Sequence, residues 1–181
     1  GQRLGAADKT LLPLGGRPLV GHAIDGLRSQ VGALVLSCGR DPAGYEGFGW
    51  PVATDQVPDT GPLGGIVSAL PLVRSEWILT YPGDAPFPDP GLVERLAIAA
   101  EPTGLAIPLA GGFRQSLVLL LRRDRAGEMA GFYARGGRAP RAWLDTVEVA
   151  VAEMDDITEA FLNVNTPEDL ARAEQRLSRP G

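Results

Sequence analysis

The 181-residue sequence predicts an α/β fold, and three observations carry that prediction. Short apolar runs alternate with stretches of helical spacing. Glycine and proline punctuate the chain between them. Two isolated carboxylates, Asp55 and Asp84, each follow an apolar run, and open α/β sheets bind their ligands at the carboxyl ends of strands. The length suits one domain with a sizeable core.

Taken in order, residues 17–30 carry Leu19, Val20, Ala23, Ile24 and Leu27 at helical spacing and predict a first helix. Residues 33–36 then read as a buried strand. Gly61 opens a second helical stretch that runs to Val73, and residues 77–80 form a strand ahead of TYPGDAPF. Pro90 suits the first turn of a helix over 92–100. Residues 105–109 and 116–121 are strands joined by AGGFRQ, residues 126–134 and 139–145 are helical, and 147–151 is a last strand. In NVNTPEDLARAEQRL, Thr166 caps a final helix, Pro167 takes its first position and Asp169 its third.

Composition removes several function classes. The net charge is −5 with no block of like charges, which argues against duplex nucleic acid and anionic membranes as partners. The apolar stretch 117–121 is far too short to cross a bilayer, and the N-terminus lacks the apolar core of a signal peptide. A lone Cys38 excludes an intramolecular disulfide and fits a reducing cytoplasm. Of 17 basic residues, Lys9 is the single lysine, and Asn163 and Asn165 are the only asparagines. Abundant Ala, Gly, Pro and Arg suit a GC-rich coding bias that disfavours Lys and Asn, so these three positions become candidates for chemical necessity.

Four constellations could carry chemistry. In GQRLGAADKTLLPLGGRPL, glycines 1 and 5 permit a loop whose amides face phosphate, with Arg3 and Lys9 adding charge, although the P-loop spacing is not matched. A solvated loop is the alternative. In VATDQVPDTGPLGGI, Asp55 precedes a helix start with Gly61, Gly64 and Gly65, where small residues admit a nucleotide close to the backbone; a surface loop before a core helix reads equally well. Asp84 in TYPGDAPF is either a turn residue or a metal ligand. Asn163 and Asn165 have no evident structural task once Thr166 caps the helix, and Mg²⁺ needs only one or two protein oxygens beside substrate phosphates. His22, inside the first helix, reads as structural.

Together, GxxRLGxxDKxLLPLxGRPL, the isolated Asp55, GPLGGI, PGDAPF and FLNVNTPEDL closely resemble the molybdenum cofactor guanylyltransferases, over essentially the whole chain. The resemblance implies a three-layer α/β/α Rossmann-like nucleotidyltransferase fold with a mostly parallel sheet, one domain over residues 1–181. It implies transfer of GMP from GTP to molybdopterin, with release of pyrophosphate and formation of a guanine dinucleotide cofactor. Lys9 and Arg3 would neutralise the triphosphate. Asp55 and the helix start at Gly61, Pro62, Leu63 and Gly64 would hold the guanosine part, Asp84 would bind Mg²⁺, and Asn163 and Asn165 would complete the site. Ser37 stands where such enzymes can carry an asparagine that contacts the nucleotide. Arg114, Arg135, Arg138 and Arg141 could receive the pterin phosphate.

The family's phosphate loop begins with an apolar strand and LAGG, and this sequence starts just after that point at Gly1. The domain as given is therefore expected to lack that strand and loop; since losing a central strand would expose two sheet edges, further residues are expected ahead of Gly1 in the whole protein. The implied partners are GTP and molybdopterin, with transient contact to molybdoenzymes or cofactor chaperones, in a cytoplasmic monomer or weak oligomer. The rival readings are a cytidylyltransferase or other small nucleotidyltransferase, and a noncatalytic nucleotide or cofactor carrier.

Overall fold

Two glycines decide how the chain enters its first helix. In the computed structural model, which describes residues 8–39, 41–55 and 61–178, strands β1 (Pro13–Leu14) and β2 (Arg17–Pro18) pair antiparallel. Between them Gly15 and Gly16 have φ of 57° and 82°, the double positive φ that a tight two-residue hairpin turn needs. The first helix, α1 (Leu19–Leu27), therefore starts later than its spacing predicts, because Arg17 is held in the ladder opposite Leu14. Its face of Leu19, Val20, Ala23, Ile24 and Leu27 is buried as expected.

The next strand is also displaced from its expected position. β3 is Leu36–Cys38 and pairs in parallel with β4 (Val52–Thr54), starting at the Leu36 and Val52 pair, so residues 33–35 lie ahead of the ladder. Leu36 and Cys38 point into the core and Ser37 points out. Helix α2 (Gly61–Ala69) follows and tightens into a 3-10 turn at Leu70–Leu72. Strand β5 (Trp77–Thr80) and helix α3 (Leu92–Ala100) have the expected bounds. Pro90 lies outside α3, whose cap is Gly91.

The remaining elements are β6 (Leu105–Ala110), β7 (Phe113–Arg114), β8 (Leu119–Arg122), α4 (Arg123–Ala134), α5 (Pro140–Leu144), β9 (Ala150–Glu153) and α6 (Pro167–Leu177). β8 is antiparallel to both β5 and β6, while β6 and β9 are parallel. Hence β5, β6 and β9 run one way with β8 reversed between β5 and β6, and the sheet expected to be mostly parallel is mixed. The reason is local. Gly111 and Gly112, at φ of 59° and 76°, fold the chain straight back into β7, which is antiparallel to β6, whereas a parallel return needs a long crossover.

Alternation along these strands builds the three layers. Ala106, Ala110, Val118 and Leu120 face α3 through Leu92, Leu96 and Ala100. Leu105, Ile107, Leu119 and Leu121 face the other way, against Leu63 of α2, Ala126 and Met129 of α4, and Trp143 of α5. Each such leucine contributes about 1.5–3 kcal/mol by leaving water. A smaller core joins α1 to β3 through Val20, Ile24, Leu36 and Tyr45. Among the described residues, no helix is long and apolar enough to cross a membrane.

Candidate functional site

Strand β5 delivers Asp84. After Thr80 the chain leaves the sheet, Tyr81 donates its hydroxyl proton to the Ala160 carbonyl, and the Ala85 N–H closes a turn onto Pro82 O at 3.2 Å. The turn expected from the sequence is therefore present, and Asp84 lies within it. The Asp84 carbonyl then accepts the Val164 N–H at 2.9 Å. Val164 is buried beside Leu14, Leu19 and Ala173, so this single bond sets the 163–165 segment alongside the acid. The cap that follows is the predicted one: Thr166 and Asp169 form a reciprocal capping box ahead of Pro167.

Lys9 reaches the same place from the start of the chain. Its Nζ donates to Asn165 Oδ1 at 3.2 Å. Burial pushes the Asp84 carboxyl above the usual range; its backbone hydrogen bond and the Lys9 ammonium oppose the rise, and Asp8 adds to it. The half-buried acid thus senses a cation and a second carboxylate. Asp84, Lys9 and Asn165 form one cluster. Asn163 borders a neighbouring cavity with Pro86, Phe87 and Arg172.

A second cluster lies at the ends of β3 and β4. The Asp55 N–H donates to Cys38 O and Gly39 O at 3.2 and 3.0 Å. Its Oδ1 is buried with no hydrogen-bond partner among the described residues, and burial raises the pKa of the carboxyl. A Cβ on Gly65 would come 2.8 Å from Ser37 Oγ and 3.5 Å from Asp55 Oδ1, so the missing side chain is what lets α2 approach both groups. Gly61 opens α2 at φ 70° beside the Arg138 carbonyl. Leu63 is fully buried and packs in the sheet core, so it can offer a ligand only its backbone. Pro62 is exposed and Gly64 is buried. The two clusters are electrostatic neighbours, because burial first, and then Asp8, Asp55 and Asp41, raise the pKa of Cys38.

Other expected residues fall elsewhere. Arg3 lies outside the described residues. His22 holds Leu14 O at 2.9 Å through Nε2, the structural task expected of it. Arg114 pairs with Asp145 at 3.7 Å. Arg138 stacks over the Tyr133 ring at 4.6 Å and donates to Tyr133 O and Gly137 O. A cavity of about 440 Å³ between α1, the loop at Pro86 and Pro88, and α6 is lined by none of Lys9, Asp55 and Asp84. Two residues escaped the sequence reading. Asp8 caps the 3-10 turn Lys9–Leu11, a signal available in the string DKT, and Tyr45 donates to Asp8 from a remote segment with no such signal.

The donor set bears on a metal. Among the described residues, no group of three or more His, Cys, Asp or Glu could hold an ion. One carboxylate with amide oxygens nearby is too little for a protein-only cage, yet it suits Mg²⁺, which keeps waters and substrate phosphates in its shell. Asp84 is the one carboxylate of this cluster that suits such an ion, since Asn165 Oδ1 is taken by Lys9.

The family model "MobA-like NTP transferase domain" matches residues 1–152. The chain belongs to the MobA-like NTP transferase family. Within it, the chain is 39% identical to the molybdenum cofactor guanylyltransferase of Cupriavidus taiwanensis, covering 97% of this chain and 92% of that protein. It is 32% identical to the molybdenum cofactor guanylyltransferase of Shewanella loihica, over 98% of this chain and 92% of the relative. The crystal structure of molybdopterin-guanine dinucleotide biosynthesis protein A from Archaeoglobus fulgidus superimposes with a TM-score of 0.77 at 24% identity, covering 96% and 92% of the two chains. The 2-C-methyl-D-erythritol 4-phosphate cytidylyltransferase of Thermus thermophilus does so at 0.74 and 20% identity, with 93% of each chain covered. At these identities the two structures establish the nucleotidyltransferase fold.

Proposed function

We propose that the protein transfers GMP from GTP to molybdopterin, with release of pyrophosphate and Mg²⁺ as the working cation. The observation that carries this reading is the convergence of Asp84, Lys9 and Asn165 from three distant parts of the sequence, together with Asp55, whose buried Oδ1 has no hydrogen-bond partner among the described residues. The guanylyl choice is supported by the relatives of 39% and 32% identity.

The reaction brings two anions together, since a phosphate monoester must attack the α-phosphorus of a triphosphate. Lys9 would hold the triphosphate oxygens, its ammonium steadied by Asn165. Asp55, whose Oδ1 has no hydrogen-bond partner among the described residues, would take hydrogen-bond donors of the guanosine part, and the backbone at Gly61 and Gly65 would admit the nucleotide beside Ser37. Asp84 would hold magnesium, which when bound neutralises phosphate charge. No side-chain nucleophile is needed, because the incoming phosphate attacks directly; catalysis rests on alignment and charge. Arg141, exposed on α5, and Arg135 remain candidates for the pterin phosphate.

The test is pyrophosphate release with molybdopterin present, measured separately with GTP and CTP. Preference for GTP and dependence on added Mg²⁺ are expected. A preference for CTP would overturn the guanylyl assignment, and no release with either nucleotide would favour a noncatalytic carrier.

A further inference from the structure

The Asp8 carboxylate collects three donors. It accepts the Thr10 N–H at 3.1 Å, the Thr10 hydroxyl at 2.8 Å and the Tyr45 hydroxyl at 2.5 Å. The two hydroxyl oxygens also touch each other. Tyr45 is 2% exposed and packs with Val20, Ile24, Leu36 and Cys38, so its hydroxyl is a fixed point anchored in the α1 and β3 core. Burial and the hydrogen bond to Asp8 hold the phenol pKa above its ordinary value, which keeps it a donor. Thr10 has a second contact. A Cβ on Gly83 would come 3.1 Å from Thr10 Cγ2 and 3.3 Å from Thr10 Cβ, so the backbone just ahead of Asp84 rests on the threonine methyl.

One short segment therefore touches three things. Lys9 meets Asn165, Thr10 supports the Asp84 loop, and Asp8 ties both to the buried Tyr45. A half-buried lysine on a short 3-10 turn would otherwise sample many positions, at a cost in side-chain entropy each time it is ordered. We infer that Asp8, Thr10 and Tyr45 are a positioning network that holds the Lys9 ammonium and the Asp84 loop at fixed separation in the reacting centre. The inference rests on the reading of Lys9 and Asp84 given under the proposed function.

The test measures kcat and KM for GTP, with molybdopterin and Mg²⁺, in Tyr45→Phe and in Thr10→Val. Thr10→Val keeps the shape against Gly83, loses the hydroxyl and serves where Tyr45→Phe does not fold. Each is expected to lower kcat about tenfold while the KM for GTP moves less than about threefold, since misplacement of a reacting group costs turnover. In a Lys9→Ala background the same substitutions are expected to cost clearly less than about tenfold in kcat, because the part of their effect that passes through Lys9 is already lost while the part that passes through the Asp84 loop remains. A kcat within about twofold of wild type in the folded variants overturns the network, as does a full tenfold loss that persists without Lys9. If Lys9→Ala alone leaves kcat unchanged, the reading of Lys9 itself falls; if Lys9→Ala is severe and the network variants are silent, only this inference falls.

Discussion

Asp55 and Asp84 are both acids that the fold desolvates, and both read as functional for that reason. With a folded pKa above the unfolded one, Asp55 stabilises the fold fully below the ordinary aspartate range, and that contribution is lost as pH rises through the raised folded value. Asp55→Asn carries no charge at any pH. In the absence of nucleotide it is expected to raise Tm at neutral pH by a few degrees, and to lose that advantage at about pH 3–4. Thermal denaturation across pH checks this; GTP affinity, read by calorimetry, is expected to fall about tenfold because the buried acceptor is altered. Asp84→Asn preserves shape and removes charge, so turnover is expected to drop about 10²–10³-fold with an unchanged far-ultraviolet circular dichroism spectrum. Asp84, Lys9 and Asn165 were legible because their residue types are rare or oddly set in this sequence. Tyr45 was not: it meets Asp8 across a sequence separation of 37, and an aromatic among apolar neighbours carries no mark of the partner it will find.

At the scale of elements, the site depends on two close approaches. Gly65 lets α2 sit against Ser37 and Asp55, and Gly83 lets the loop after β5 sit on Thr10. Gly65→Ala pushes a methyl to 2.8 Å from Ser37 Oγ; the serine can turn away, so Tm is expected to move little while GTP affinity falls about tenfold, since displaced groups no longer meet the nucleotide. At α6, Thr166→Ala removes the capping box and is expected to cost about 1 kcal/mol in urea unfolding. β5, α3 and α6 were readable because apolar spacing and end signals agree there. The first helix was read too long, since Arg17 continues the helical spacing while the Gly15 and Gly16 turn commits it to a strand. β3 was read too early because apolarity at 33–35 marks the approach to the sheet, whereas pairing begins opposite Val52. β7 has two residues, too few for any period to show.

Across the whole molecule, the Asp84 cluster follows β5 of the mixed sheet, and the Asp55 cluster lies at the ends of the separate parallel pair β3 and β4. The α/β class and the layering follow from alternation. The reversed β8 does not, because strand direction is set by connections, and the AGGFRQ turn reveals its effect only once β6 and β7 are paired. The net charge of −5 gives GTP no general attraction, so on the proposed reading capture of the nucleotide would rest on local groups such as Lys9 and on an accompanying cation. On the proposed reading, Lys9, Asp55 and Asp84 together make a GTP-dependent nucleotidyltransferase acting on molybdopterin. The most direct measurement is pyrophosphate release from GTP and from CTP, with molybdopterin and Mg²⁺, in the wild-type protein and in Asp84→Asn. The account predicts release from GTP well above that from CTP, and its near-abolition in Asp84→Asn. Faster release from CTP, or wild-type turnover in Asp84→Asn at ordinary Mg²⁺, would contradict it.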